Sequence, residues 1–414
     1  MNIRVTPASR LCGTVSAVRS KSYGHRALIA ASLSGGPCAV RLAGPGQPVS
    51  EDISATISCM CALGAEISLT DGLAVITGFR PVSSGVRLDC GESGSTARFL
   101  LPVAAALCEN FGMTGWGRLP ARPFSVLCEQ MERRGCAFSS HSLPMRVSGY
   151  LQSGKYALPG NISSQYISGL LFALPLLGGD SCVTVTSPLE SAAYVDMTAE
   201  ILSLFGIKTK RDGNIYRIAE GQVYKVPEGG FIDVEGDWSN AAFFLCMNAL
   251  GSDIEVKGLN PTSLQGDRKI TELLRQLTIV NCQLSVDVSQ IPDLVPALAV
   301  VAACREGGTI ICGGVRLRTK ESDRLVSTAA MINALGGAAR ETADGLVITG
   351  TGELAGGTVQ SFGDHRIVMA AVTAAGRCVS PVTIIGAEAV NKSYPHFFED
   401  YRKAGGGADV IDAG

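Results

Sequence analysis

A chain of 414 residues exceeds the usual single-domain range, so two or three domains are expected. Hydrophobic residues make up 46% and charged residues 17%, which fits large cores holding fully buried helices. The 35 lysines and arginines against 37 acidic residues give a formal net charge of -2, which excludes a general nucleic-acid or membrane-surface binder and makes any basic character local.

The chain opens on a strand, MNIRVTPAS, that could complete either half of the molecule. Six times after it, a short polar or Pro-containing cluster runs into an Ala- and Leu-rich apolar helix. In order these are Ser20-Lys21-Ser22 before RALIAASL, Ser93-Gly94-Ser95-Thr96 before ARFLLPVAAAL, and Ser163-Ser164-Gln165 before YISGLLFALPLL. Then come Asp237-Trp238-Ser239-Asn240 before AAFFLCMNAL, Ile291-Pro292-Asp293 before LVPALAVVAA, and Asp364-His365-Arg366 before IVMAAVTAAG. Their first residues are spaced by 73, 70, 74, 54 and 73 positions. A period of this size marks one supersecondary unit used six times.

Each apolar helix is followed by a second one with polar residues between its apolar positions, as in DISATISCMCALG and VDMTAEILSLFG. These predict amphipathic surface helices. Five end on a glycine suited to the left-handed cap: Gly64, Gly135, Gly206, Gly336 and Gly405. Asp71-Gly72, Asp212-Gly213 and Asp344-Gly345 predict hairpin turns behind them. The unit therefore reads strand, buried helix, strand, amphipathic helix, hairpin. The short fourth step predicts a trimmed hairpin between Leu277 and Ile291. Three units to a half gives two domains, 20–237 and 1–19 plus 238–414, with a ligand site expected in the cleft between them.

The 14 cysteines have no disulfide-framework spacing, and the Cys59-x-Cys61 pair lacks partners for a zinc set. Reduced, buried thiols in the cytoplasm are expected. No h-region precedes the first unit, so no signal peptide is expected, and no apolar run is long enough for a membrane span. Four histidines argue against a His-rich metal site. The Gly149–Tyr156 segment nearly matches a phosphate loop, but Tyr156 stands where magnesium needs Ser or Thr.

A helix N-terminus attracts anions. Basic residues stand close to the unit boundaries: Lys21, Arg26, Arg98, Arg122, Arg316, Arg318, Lys320, Arg324, Arg366 and Lys392. Any one alone reads as solvated surface. Lys21, Arg98 and Arg366 enter otherwise apolar helices, however, where a charge needs a carboxylate or a bound anion. Asp293 reads either as a helix-dipole residue or as a general base, and Glu321 as a salt-bridge partner or an acid/base group. Ser163 and Ser164 suit both a cap and a phosphate cradle.

The motifs SKSYGHRAL, GESGSTARFL, NISSQY, VEGDWSNAA, SLQGD, IPDLVP, LRTKESDRL, GDHRIVMA and NKSYPHFFEDY run nearly end to end. Through them the chain resembles the EPSP synthases (3-phosphoshikimate 1-carboxyvinyltransferases) of the enolpyruvyl transferase family. The resemblance implies an α/β fold, a two-domain inside-out α/β barrel of six βαβαββ units. It implies transfer of the enolpyruvyl group of phosphoenolpyruvate to the 5-hydroxyl of shikimate 3-phosphate, toward chorismate, with phosphate released. Lys21 would then contact both substrates, and Ser22, Arg26, Ser163, Ser164, Ser191, Tyr194 and Lys320 the shikimate 3-phosphate. Gln165 would reach both substrates. Glu92, Gly94, Arg122, Arg324, Arg366 and Lys392 would hold phosphoenolpyruvate, Asp293 would accept the hydroxyl proton, and Glu321 would manage the methylene proton. No metal, cofactor, nucleic acid or membrane partner is implied, and a monomer is expected. The family is the target of glyphosate, which competes with phosphoenolpyruvate. Glu92 stands where the family usually has Asn, so a backbone contact is expected there. The sister UDP-N-acetylglucosamine transferases carry a reactive cysteine before the Arg-Pro pair. FGMTGWGRLPARPF has none before Arg122.

Overall fold

The computed structural model describes residues 1–8, 10–277 and 283–411. The chain divides into two compact units, Arg19–Glu235 and Met1–Val18 with Gly236–Gly414. Each has its own continuous hydrophobic core.

In Arg19–Glu235 the core is built on the helices Lys21–Leu33, Gly94–Leu107 and Ser164–Ala173. They are apolar on every side, so burial rather than a hydrophobic stripe places them inside. Gly94–Leu107 and Ser164–Ala173 touch closely. A Cβ at Gly169 would collide with the Arg98 carbonyl and lie 3.2 Å from the Phe99 Cα. The other unit repeats the plan with Trp238–Ala249, Val295–Ala303 and His365–Ala375, which pack on one another. Every residue of Val295–Ala303 is buried.

The sheets lie outside the helices and share one order. Val86–Asp89 pairs in parallel with Asn110–Thr114, which pairs antiparallel with Met145–Ser148, followed by Ala137–Phe138. Four further sheets repeat this order. The N-terminal strand Asn2–Thr6 sits between Val382–Ile385 and Gly407–Ile411, so it completes the sixth unit. Cys12–Ser16 pairs in parallel with Asp253–Lys257 in the fourth. Phe231–Asp233 turns back to pair with Cys38–Arg41 in the first. The chain thus lends a leading strand to each unit as it passes between them.

In the fourth unit no hairpin joins the Cys12–Ser16 and Asp253–Lys257 pair among the described residues. Part of the predicted trimmed hairpin, residues 278–282, lies outside the described residues. Leu284–Asp287 behind it is the leading strand of the fifth unit.

The five cap glycines all have positive φ, from 82° at Gly206 to 110° at Gly64, as a left-handed helix cap requires. Asp71 and Gly72 have φ of 50° and 71°, the primed turn that matches strand twist. Asp344-Gly345 differs. It closes a longer loop between Ala338–Glu341 and Leu346–Thr351. Gly345 does not have positive φ, and a Cβ there would collide with the Ile311 carbonyl. Close approach, not turn geometry, requires that glycine.

Candidate functional site

Five of the six polar clusters cap their helix through a side chain. Ser20 accepts from the amide of Tyr23, Ser93 from Thr96, Ser163 from Gln165, Asp237 from Asn240 and Asp364 from Arg366. Each cap of this kind is worth about 1 kcal/mol. The fifth cluster starts differently, with Asp293 inside a 3-10 turn, Pro292–Leu294.

In Arg19–Glu235, Lys21 reaches the buried Asp52 at 2.7 Å. Asp52 is in the first turn of the surface helix Glu51–Ala62. Arg26 is buried, and its fork is committed to protein. It donates to Thr198 Oγ1 at 2.8 Å and to the carbonyls of Ser22 and Tyr194 at 2.7 and 2.8 Å. Burial lowers its pKa to about 10. Its contacts fix the backbone of Ser22 and Tyr194. Ser191 is buried with φ of 53°. A serine held in the left-handed region is strained, and such strain clusters at ligand clamps. Ser163 and Ser164 are buried at the start of their helix. The Gly160 loop before them is bonded to the 187–190 loop, through Glu190 N to Gly160 O at 3.1 Å and Gly160 N to Ser187 Oγ at 2.9 Å.

Gln165 lies between two partners, accepting from Arg98 Nη1 at 2.8 Å and donating to Ser95 Oγ at 2.9 Å. Arg98 also lies over the rings of Phe124 and Tyr166. A Cβ on Gly94 would stand 2.5 Å from Arg122 Nη1 and 3.4 Å from Arg98 Nη1. Two guanidiniums thus flank one glycine at a helix N-terminus. Arg98 belongs to this set by position, a role the resemblance did not assign. Glu92 turns its carboxylate over Gly117, where a Cβ would be 2.8 Å from Oε2 and closer to Oε1. Cys128 is buried in the helix Ser125–Glu132, and burial pushes its thiol up to about 12. It is therefore no thiolate nucleophile.

In the second unit the cations and carboxylates share one buried node. Arg324, only 1% exposed, donates Nη1 to Asp293 at 2.6 Å, Nη2 to Glu321 at 2.5 Å and Nε to Asp364 at 2.8 Å. Arg366 approaches the other Asp293 oxygen at 3.4 Å, and Lys320 lies 3.5 Å from the first. Asp364 also accepts from Ser322 at 3.0 Å. Lys392 donates to the Gly363 carbonyl at 2.7 Å, beside the cap of the same helix.

Burial alone would raise the Asp293 pKa, but Arg366, Lys320 and Arg324 together hold it well below the usual carboxylate range. Burial lowers Lys320 to about 8, against the pull of Asp293. Burial would also lower Arg324, yet Asp364, Glu321 and Asp293 carry it above its ordinary value. Asp293 is an anion beside three cations, and Glu321 reaches one of them. A neighbouring acid and base with cations around them suit proton transfer on an anionic substrate.

Asp52 and Asp364 hold Lys21 and Arg324 in place, and sequence reasoning gave neither a role. Asp52 looks like an ordinary first-turn acid, and Asp364 an ordinary cap. No helix among the described residues is long and apolar enough to cross a membrane.

The EPSP synthase (3-phosphoshikimate 1-carboxyvinyltransferase) family model matches residues 5–401. The chain is 41% identical to the 3-phosphoshikimate 1-carboxyvinyltransferase of Clostridium kluyveri, with 98% of each sequence covered. It is 40% identical to that of Clostridium perfringens strain 13, over 97% of this chain and 98% of the relative. An EPSP synthase structure from Acinetobacter baumannii superposes with a TM-score of 0.78 at 28% identity, covering 99% of this chain and all of that one. Guanidiniums around Gly94, carboxylates gathered on one buried arginine, and these end-to-end matches agree: the chain belongs to the EPSP synthase family.

Proposed function

We propose that the protein transfers the enolpyruvyl group of phosphoenolpyruvate to the 5-hydroxyl of shikimate 3-phosphate, releasing phosphate. The observation that carries this reading is the Arg324 node, where Asp293 and Glu321 share one buried cation. Asp293 takes the hydroxyl proton as the oxygen attacks C2 of phosphoenolpyruvate, and Glu321 delivers a proton to the methylene carbon. The tetrahedral intermediate then loses phosphate as the methyl proton returns. Lys21, Arg122, Arg324, Arg366 and Lys392 offset the charge of the anions. Ser163, Ser164, Ser191 and Lys320 hold the 3-phosphate, with Gln165, Ser22 and Tyr194 on the same substrate. Arg26 acts on Ser22 and Tyr194 from within. The protein works as a cytoplasmic monomer, in keeping with the separate core of each unit.

The test is phosphate release from phosphoenolpyruvate with shikimate 3-phosphate, followed against UDP-N-acetylglucosamine as the competing acceptor. Turnover with the first acceptor alone is expected. Turnover with the sugar nucleotide, or binding without release, would overturn the reading.

Gly94→Ala gives a narrower check. The added methyl meets the Arg122 guanidinium at 2.5 Å, and the arginine must swing away. The KM for phosphoenolpyruvate should rise about tenfold, equivalent to about 1.4 kcal/mol of lost binding, with the melting temperature nearly unchanged. An unchanged KM would remove Arg122 from the phosphoenolpyruvate contacts.

A further inference from the structure

Asp267 is a fully buried carboxyl that none of the roles above uses. It lies in the 3-10 turn Gly266–Lys269. Its Oδ2 accepts from the Ser239 hydroxyl, while Oδ1 has no hydrogen-bond partner among the described residues. Gln265, two residues earlier, donates to the Gly236 carbonyl at 2.8 Å and accepts from the Trp238 amide at 3.0 Å. This turn is thereby fastened to the first turn of the Trp238–Ala249 helix. The same helix packs against the Pro292–Leu294 turn, which carries Asp293, and against His365–Ala375, which carries Arg366.

A carboxyl that only held Ser239 gains nothing from its charge. An uncharged amide accepts the same hydrogen bond, and a buried carboxylate with an unbonded oxygen is costly. Three charged groups on the elements packed around it act on it electrostatically: Asp293, Arg366 and the cap residue Asp237. Burial first, and then the charge of Asp293, raise its pKa to about 7, with Arg366 opposing. Asp267 therefore changes charge near neutrality next to a carboxylate that three cations hold anionic.

We propose that Asp267 is a positioning residue for the reaction, its buried charge making Asp293 a stronger base. This rests on the proton-acceptor role of Asp293 proposed above. Adding negative charge beside Asp293 offsets part of the pull of Arg366, Lys320 and Arg324, so proton acceptance from the hydroxyl becomes easier.

The experiment compares Asp267→Asn with the wild type in phosphate release from pH 6 to pH 8 and in thermal melting from pH 5 to pH 8. At pH 8, where Asp267 is ionised, kcat of the variant should fall about tenfold, a one-unit change in the basicity of Asp293. At pH 6 the wild-type group is itself protonated, and the two enzymes should agree within about twofold. Stability moves the other way. A carboxyl whose folded pKa lies above its unfolded value loses stability as pH rises between the two, here from about 4 to 7. Asp267→Asn has no charge to bury and should melt higher than the wild type at pH 8, with the gap closing toward pH 5. Ser239→Ala removes the one donor to Asp267 and should move the rise in kcat to higher pH without abolishing it. A kcat loss equal at both pH values, no loss at pH 8, or a lower melting temperature at pH 8 would each overturn the proposal. Turnover surviving in Asp293→Asn would remove the reading beneath it, and that result comes from a different variant.

Discussion

Replacing Arg324 by methionine is expected to abolish turnover and to destabilise the protein by about 3–5 kcal/mol at pH 7.5. Arg324 is 1% exposed and binds three carboxylates, of which Asp364 is wholly buried and Asp293 and Glu321 are 17% and 16% exposed. Methionine fills much of the volume and leaves those charges without their shared cation. Their pKa values must then rise. The sign of the pH dependence follows. In the wild type, Asp293 and Asp364 titrate below their ordinary values. The stability they contribute is thus present above about pH 4 and lost only in stronger acid. In the variant Asp364, wholly buried and without its leading cation, titrates above its ordinary value, whereas Asp293 keeps Arg366 and Lys320, so stability falls as pH rises from about 4 upward. The gap in melting temperature between variant and wild type should therefore narrow at pH 5. Arg324→Lys keeps a charge without a three-way fork and should fall between. A variant melting within about 2 °C of the wild type, or a gap indifferent to pH, would mean that the node does not depend on its arginine.

What was legible in the sequence follows the same physics. Five of the six buried helices announced themselves because Ser or Asp caps stand directly before apolar runs, and the Ile291-Pro292-Asp293 cluster marked the other. The five cap glycines marked where surface helices stop. The strands did not reveal their partners. Phe231–Asp233 pairs with Cys38–Arg41, almost two hundred positions earlier in the chain, and no local pattern encodes such a register. At the site, residue types were readable but their division of labour was not. Arg26 was visible as a basic residue near a helix start, but not its bonds to Thr198 and two carbonyls. Glu92 looked repulsive to an anion, yet its carboxylate lies over Gly117. Asp267 stood in the SLQGD motif with no role of its own. Its burial becomes visible only when the turn is seen fastened to Trp238 and Ser239. Side-chain direction depends on packing against distant segments, and a linear pattern carries little of it.

Asp293→Asn should lower kcat by about two to four orders of magnitude, with substrate binding equal to the wild type or tighter. Asparagine keeps the shape of the residue, and its one oxygen accepts from Arg324 while its NH2 stands toward Arg366, but it cannot take a proton at neutral pH. Removing its charge also frees Arg366, Lys320 and Arg324 from one internal anion, and that favours an incoming phosphate or carboxylate. The wild-type residue needs those same anions. At rest the three cations hold Asp293 well below the carboxylate range, where it is a poor base. When substrate anions draw on Arg366, Lys320 and Arg324, their pull on Asp293 weakens and its basicity rises at the moment the hydroxyl is in place. Binding and activation of the base are then one electrostatic event. Isothermal titration with shikimate 3-phosphate, beside steady-state kinetics, separates the two contributions. A variant that binds ten times more weakly with kcat intact would make Asp293 a binding group and leave the hydroxyl proton to another residue.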